Sequence, residues 1–126
     1  MNPSLRVLVV EDEPDTGKTY AAILKYWGHI PVLAQDAVIA LHAVDEPAPD
    51  VILLDLGLPH MDGLQLAKVI RLRWPYKPPV LIAVTGYGTT EDRRRSSEAG
   101  IDFHLLKPVE LHELKCNLGR CRLRPI

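Results

Sequence analysis

The chain has 126 residues, is 47% hydrophobic and carries a formal net charge of -1. This length fits one domain with a real hydrophobic core, and the near-neutral charge argues against direct nucleic-acid binding through excess positive charge. No apolar stretch approaches the roughly 20 residues that a membrane span needs. Residues 1–4 lead directly into a strand-like run that ends in acids, which is not typical of a secretion signal, so we expect a cytoplasmic protein.

The cysteines and histidines show no metal or redox motif. Cys116 and Cys121 are five positions apart, which matches neither a CxxC redox motif nor a zinc pattern. His42, His60 and His112 show no metal-ligand spacing. We therefore expect two reduced cysteines.

Strand-like and helix-like segments alternate along the chain, which predicts a parallel sheet with helices on both faces. The first apolar run, residues 5–10, is nearly continuous in Val and Leu, as is typical of a strand covered on both faces. Pro14 suits the first turn of the following helix, and Gly28 is expected to end it. The inner face of this helix is predicted from i, i+3, i+4, i+7 spacing at Tyr20, Ile23, Leu24 and Trp27.

A weaker strand at residues 30–34 precedes a second helix, which Asp36 caps and which runs through Val44. A third strand is predicted at residues 51–54. Asp62 and Gly63 precede a third helix. Its inner face is expected to contain Leu66, Ala67, Ile70 and Trp74.

A fourth strand at residues 80–84 leads to a helix at residues 89–99 that has no Leu, Ile, Val or Phe. Since burial contributes little to such a helix, we expect it to be the moving element, with a merely solvated surface helix as the alternative. The last strand covers residues 103–106. The last helix is predicted to have Pro108 at its entry and to carry three leucines on one side: Leu111, Leu114 and Leu118. Gly119 and Pro125 are expected to bring it to an early end. The prediction is five strands and five helices in one doubly wound α/β domain.

Polar side chains follow four of the predicted strands: Asp12, Asp55, Thr85 and Lys107, with Glu11 beside Asp12. Open α/β sheets build their sites at the carboxyl edge, where these residues would meet. Two like charges about 4 Å apart repel by about 4 kcal/mol at an effective dielectric of about 20, so three carboxylates there require a proton or a cation. Magnesium is the natural cation because it prefers oxygen ligands. Beside it, Asp55 can act as a nucleophile toward phosphorus.

Four segments carry a resemblance to a known family: "VLVVEDEPD", "DVILLDLGLPHMDG", "VTGYG" and "EAGIDFHLLKP". In this order and at these spacings, the chain resembles the receiver domain of two-component response regulators over residues 5 to about 118. The resemblance implies a flavodoxin-like fold with strand order 2-1-3-4-5. It implies one receiver domain over residues 1–126, with residues 119–126 as a tail or the start of a linker.

The resemblance also implies a role for each matching residue. Asp55 would be the phosphoacceptor, Lys107 would neutralise the phosphoryl group and Thr85 would be the switch hydroxyl. The Lys107–Pro108 peptide bond would be cis. The magnesium ligands would be Glu11 through water, Asp12, Asp55 and the backbone carbonyl of Gly57.

The aromatic switch position of the family falls on His104, where Tyr or Phe is usual. Because the charge of a histidine varies near neutral pH, we hypothesise that activation is pH-sensitive; a chemically idle His104 is the alternative. Gly57 and Tyr87 occupy the positions that tune the lifetime of the aspartyl phosphate. Gly57 has no side chain to position a water, so no lifetime is predicted.

The function implied is a phosphorelay switch, not a turnover enzyme, that accepts a phosphoryl group from a histidine kinase or phosphotransfer protein. A downstream protein would bind the face of the fourth helix, fifth strand and fifth helix, and a phosphorylation-linked homodimer is a further option. One alternative is a phosphatase, which usually needs a second Asp two residues after the nucleophile, where this chain has Gly57. The other is a degenerate receiver that binds proteins independently of phosphorylation.

Overall fold

Strands and helices alternate strictly along the chain in the computed structural model, which describes residues 4–45, 48–57, 62–74, 78–86 and 88–122. The prediction of five strands and five helices is confirmed. The elements are β1 Arg6–Val10, α1 Pro14–Tyr26, β2 Ile30–Ala34, α2 Ala37–Asp45, β3 Val51–Asp55, α3 Gly63–Arg73, β4 Val80–Thr85, α4 Thr90–Glu98, β5 Phe103–Leu106 and α5 Leu111–Arg122.

The five strands form one parallel sheet in the order β2-β1-β3-β4-β5, as the resemblance implied. Each parallel connection needs a crossover, and a helix supplies each one. β1 lies inside the sheet next to one edge; the chain moves outward from it to the edge strand β2 and then returns through β3 to β5. The order of the strands therefore reverses beside β1 and β3, which is where sheets of this kind build their sites.

Two apolar cores lie on opposite faces of the sheet, which explains the continuous apolar runs of the inner strands. Successive side chains of a strand point to opposite faces, so a strand that is covered twice is apolar throughout. In β3, Ile52 and Leu54 belong to one core, together with Leu66 and Ile70 of α3. In the same strand, Leu53 packs in the other core, whose helical members come from α1 and α5: Leu24, Leu114 and Leu118.

The helix boundaries follow local signals that the sequence contains. Pro14 lies in the first turn of α1, where its missing N–H removes no helical hydrogen bond. Asp36 accepts a hydrogen bond from the N–H of Ile39 at 2.9 Å, so it caps α2 as predicted. Gly28, with φ of +89°, follows α1 in a conformation that only glycine adopts freely.

The prediction that Gly119 helps to end the last helix was wrong. The helix begins at Leu111, shortly after Pro108, and the carboxylate of Glu110 accepts hydrogen bonds from the N–H groups of His112 and Glu113 in its first turn. It continues through Gly119 to Arg122. Glycine inside a helix costs only about 1 kcal/mol relative to alanine, which the burial of its leucine neighbours outweighs.

Leu111, which was predicted on the same side of α5 as Leu114 and Leu118, is 43% exposed and does not enter the core. It borders a groove beside α1, together with Val109 and Ile23. The other two leucines of the predicted face, Leu114 and Leu118, are each 1% exposed.

Arg71 connects the end of α3 to the strands beside it. Its guanidinium donates to the backbone oxygens of Pro79 and Gly100 and pairs with Asp102 at 2.7 Å. The same carboxylate of Asp102 accepts from the N–H of Leu81 at 2.9 Å. This cluster therefore links α3, β4 and the turn before β5.

Candidate functional site

Three carboxylates meet at the carboxyl edge of the sheet, as the parallel arrangement of the strands predicts. Glu11 and Asp12 directly follow β1, and Asp55 is the last residue of β3. One oxygen from each of the three lies within 4.8 Å of the others. Glu11 and Asp55 are buried, whereas Asp12 is exposed. Two of the three carboxyl groups are thus shielded from water and the third faces it.

Lys107 follows β5 and reaches this cluster across the end of β4. Its Nζ lies 3.2 Å from Oδ1 and 3.1 Å from Oδ2 of Asp55, although the two residues are 52 positions apart. Its backbone N–H donates to the carbonyl of Thr85 at 2.8 Å, which fixes the loop after β5 against the end of β4. The side chain of Lys107 remains 44% exposed, so its ammonium is accessible beside the buried carboxylate. The Lys107–Pro108 bond is cis, as the resemblance implied.

Asp55 is held in its ionised form by its neighbours. Burial acts to raise its pKa, but hydrogen bonds from Glu11, from the N–H of Gly57 and from Lys107 together keep the pKa below its ordinary value. The Gly57 N–H donates to Oδ1 at 2.8 Å. A Cβ at Gly57 would lie 3.3 Å from the same oxygen, so a side chain there would press on the carboxylate. Asp55 is therefore an ionised carboxylate with a fixed orientation.

Glu11 shows the opposite behaviour. Its pKa is raised to about 8. Burial is the largest cause, followed by the hydrogen bond with Asp55 and then by the negative charge of Asp55. Its Oε2 is buried and has no hydrogen-bond partner among the described residues. A buried oxygen with free lone pairs beside two further carboxylates is a donor set that suits a hard divalent cation. The residues present therefore fit the magnesium ion that the resemblance implies.

A cavity of about 340 Å³ lies beside the carboxylates, between the edge of the sheet and α4. Gly57, Thr85 and Lys107 line it on the sheet side, and Arg95 and Ser96 line it from α4. Thr85 is buried at the end of β4. The cavity has room for a small anionic group beside Lys107, which contacts Asp55.

His104 lies on β5 in this cavity, not on the open surface. Both of its ring nitrogens are buried, and neither has a hydrogen-bond partner in the described part of the chain. Burial, followed by repulsion from Arg93, lowers its pKa, while Asp92 acts in the opposite direction. His104 is therefore a neutral imidazole in this arrangement.

The helix beside the cavity is as poor in apolar contacts as the sequence predicts. Ser96 is its one buried residue. A capping box closes its start, with the side chain of Thr89 accepting from the N–H of Asp92 and the Asp92 carboxylate accepting in return. The movement of α4 remains a prediction.

Two residues, Tyr20 and Arg95, lie near the site without having been predicted there. Tyr20 was assigned to the apolar face of α1, yet it lies half-buried near Glu11 and Asp55, and burial together with their charges raises its pKa. Arg95 of α4 borders the cavity. The topology could have indicated both residues, because their helices, α1 and α4, follow β1 and β4 and therefore begin at the carboxyl edge of the sheet.

Within the described ranges, none of the helices is long and apolar enough to cross a membrane. Tyr87, which the resemblance placed at a lifetime-tuning position, lies outside the described residues.

Comparison with known proteins agrees with this geometry. A family model described as "Response regulator receiver domain" matches residues 7–118. The phosphate regulon transcriptional regulatory protein PhoB of Klebsiella pneumoniae is 38% identical over 109 residues, which is 86% of this chain and 48% of that protein. The sensor histidine kinase RcsC of Salmonella typhi is 35% identical over 118 residues, 94% of this chain and 12% of that protein. The chain thus spans about half the length of PhoB and a small part of RcsC.

Solved structures share the fold. The receiver domain of the Francisella response regulator 1452 aligns with a TM-score of 0.87 and 25% identity, covering 96% of this chain and 98% of that one. A co-crystal structure of the Saccharomyces cerevisiae phosphotransfer protein Ypd1 with the receiver domain of Ssk1 aligns with a TM-score of 0.87 and 26% identity, covering 98% of this chain and 92% of that one.

Proposed function

This chain belongs to the response regulator receiver domain family, and from that premise we propose that it is a phosphorelay switch in which Asp55 accepts a phosphoryl group from a phosphohistidine. The observation that carries the proposal is the ionised Asp55 carboxylate in contact with Lys107, inside a cluster of oxygen donors. A nucleophile, a positive charge and a metal-ligand set at one sheet edge are what phosphoryl transfer requires.

Asp55 performs the covalent step. One of its oxygens forms a bond to phosphorus while the bond from phosphorus to the donor histidine nitrogen breaks, and the released imidazole nitrogen keeps the electron pair. The Gly57 N–H orients the carboxylate before the reaction. Lys107, already beside Asp55, balances the negative charge of the phosphoryl oxygens.

Glu11, Asp12 and Asp55 would hold the magnesium ion, and the family resemblance adds the carbonyl of Gly57. When bound, magnesium supplies positive charge that offsets repulsion between the carboxylates and the incoming phosphoryl oxygens. Without it, the raised pKa of Glu11 keeps a proton in the cluster. The exposed position of Asp12 leaves this side of the cluster open to an ion and its water ligands.

The phosphorylated state would act through the neighbouring elements. We propose that the Thr85 hydroxyl moves to hydrogen-bond a phosphoryl oxygen and that α4, which has few buried contacts, repacks with His104. A downstream protein would then bind the face of α4, β5 and α5. In this role the protein is modified stoichiometrically and is not a turnover enzyme.

The partners and location proposed follow from the relatives. The relatives include a transcriptional regulator, a sensor histidine kinase and a receiver crystallised with a phosphotransfer protein, which supports a histidine kinase or phosphotransfer protein as the donor. A cytoplasmic location fits that donor.

The test is incubation with magnesium and acetyl phosphate, followed by measurement of the intact mass. We expect one added phosphoryl group per chain, lost in Asp55→Asn and retained in the control Asp36→Asn, because Asn also caps a helix. Continued release of phosphate from excess substrate would instead indicate a phosphatase. Protein of unchanged mass would indicate a degenerate receiver that acts only through binding.

A further inference from the structure

A histidine and a cysteine lie side by side on the outer face of α5, away from the site described above. His112 and Cys116 are four positions apart, so they occupy the same side of the helix one turn from each other. The distance from Nε2 of His112 to Sγ of Cys116 is 3.6 Å. Both side chains are exposed, and Cys116 is a free thiol. Taken separately, the cysteine and histidine spacings predicted no site; taken together, the two residue types form a chelating pair.

The separation of the two atoms matches that of ligands on one tetrahedral ion. With Zn–S of ~2.3 Å and Zn–N of ~2.1 Å, a tetrahedral angle places nitrogen and sulfur about 3.6 Å apart. Imidazole and thiolate are also the ligand types that zinc and similar ions prefer, whereas magnesium prefers oxygen. The pair thus differs in chemistry, as well as in position, from the acidic cluster at the sheet edge.

One chain supplies only two of the four ligands that a closed site needs. In the described part of the chain, Glu11, Asp12 and Asp55 are the one group of three or more side chains able to surround a metal ion, and neither His112 nor Cys116 belongs to it. A second copy related by a two-fold axis would add the same pair, because a two-fold interface brings a surface patch against itself. Two histidines and two cysteines then complete a Cys2His2 set.

We propose that His112 and Cys116 form one half of a zinc-class metal site that is completed by the same two residues of a second copy. The exposure of both residues on α5 leaves room for the second helix to approach. Binding requires the thiolate form of Cys116 and the neutral form of His112, so the metal displaces the thiol proton. This inference does not depend on the phosphorelay function.

The test is a titration of the reduced 126-residue chain with cobalt(II), a spectroscopic substitute for zinc. Excess magnesium keeps the oxygen cluster occupied. We expect a sulfur-to-cobalt charge-transfer band that saturates at one cobalt per two chains, together with a twofold rise in sedimenting mass that a chelator reverses. Zinc should remove the cobalt band while the dimer persists.

Variants distinguish this site from the rest of the molecule. Cys116→Ser and His112→Ala should each abolish both the charge-transfer band and the dimer. Cys121→Ser is the matched control, since Cys121 is half-buried and packs against the core, and it should retain both signals. No charge-transfer band, a band that survives Cys116→Ser, or a band at one cobalt per monomer would each overturn the proposal.

Discussion

The two buried carboxyl groups of the site have pKa values shifted in opposite directions. The pKa of Asp55 is lowered by its hydrogen bonds to Glu11, Gly57 and Lys107, which outweigh its burial, whereas that of Glu11 is raised by burial and by Asp55. The pKa values of two carboxyl groups in one pocket move apart in this way, because the ionised form of one group makes ionisation of the other less favourable. The charge on Asp55 is therefore kept, and the proton stays on Glu11.

The first prediction is that magnesium binding releases a proton from Glu11. Because the pKa of Glu11 is about 8 without a cation, most of the protein carries that proton at neutral pH, and the affinity for magnesium rises as the pH is raised through about 8. Calorimetry in two buffers of different ionisation enthalpy measures the released proton. Glu11→Gln should bind magnesium without that release. A binding heat that is the same in both buffers would contradict the prediction.

The second prediction concerns His104, whose pKa lies below its ordinary value of 6.5 because of burial and Arg93. The unfolded chain takes up the proton more readily than the folded one, so this contribution to stability is present above about pH 6.5 and is lost as the pH falls further. Asp92, Arg95 and Lys107 also face the cavity that holds the ring. Acid should thus favour a conformation with His104 outside the cavity.

Urea unfolding across this pH range provides the measurement. His104→Phe should flatten the decline in the free energy of unfolding below about pH 6.5, because phenylalanine has no proton to gain. His42→Phe is the control, since His42 is exposed on α2. The same slope in His104→Phe and in the unmodified chain would show that His104 is idle.

Among the helices, α4 relies on its cap more than on its core. Its single buried residue is Ser96, and its start is closed by the reciprocal bonds of Thr89 and Asp92. We expect Thr89→Ala to reduce the local stability of this helix by about 1 kcal/mol, which raises amide exchange throughout α4. Thr90→Ala, one residue further and exposed, is the control. Unchanged exchange in Thr89→Ala would show that other contacts hold the helix.

The junction of α3, β4 and the turn before β5 depends on one arginine. Arg71→Met removes the donors to the carbonyls of Pro79 and Gly100 and leaves Asp102 without its cation. We expect the free energy of unfolding to fall by about 1–3 kcal/mol, measured with urea. Lys68→Met, on an exposed part of the same helix, should change it by less than about 0.5 kcal/mol. Equal values for the two variants would contradict the role assigned to Arg71.

At the scale of the whole molecule, the sheet brings distant parts of the sequence to one edge. Asp55 and Lys107 come from β3 and the loop after β5, which lie on either side of β4. Parallel strands all present their carboxyl ends at the same edge, so the site follows from the order of the strands. The acidic cluster, the lysine and the cavity are therefore consequences of the topology.

The sequence predicts those features that depend on local patterns. The apolar runs identify the strands, and Pro14, Asp36 and Gly28 mark the ends of helices. The polar residues that follow the strands indicate the site. The exposure of Leu111 and the passage of α5 through Gly119 depend on packing at a helix end, which periodicity does not contain. The directions of the pKa shifts depend on distances that only the folded chain defines.

The most direct test of the central claim is chemical identification of the phosphorylated side chain. Reduction of the phosphorylated protein with borohydride converts an acyl phosphate to an alcohol, so an aspartyl phosphate becomes homoserine. Peptide mass spectrometry should find homoserine at position 55 only, and only when magnesium was present during phosphorylation. Homoserine at a different aspartate, or a phosphoryl group that survives reduction, would contradict the assignment of Asp55 as the acceptor.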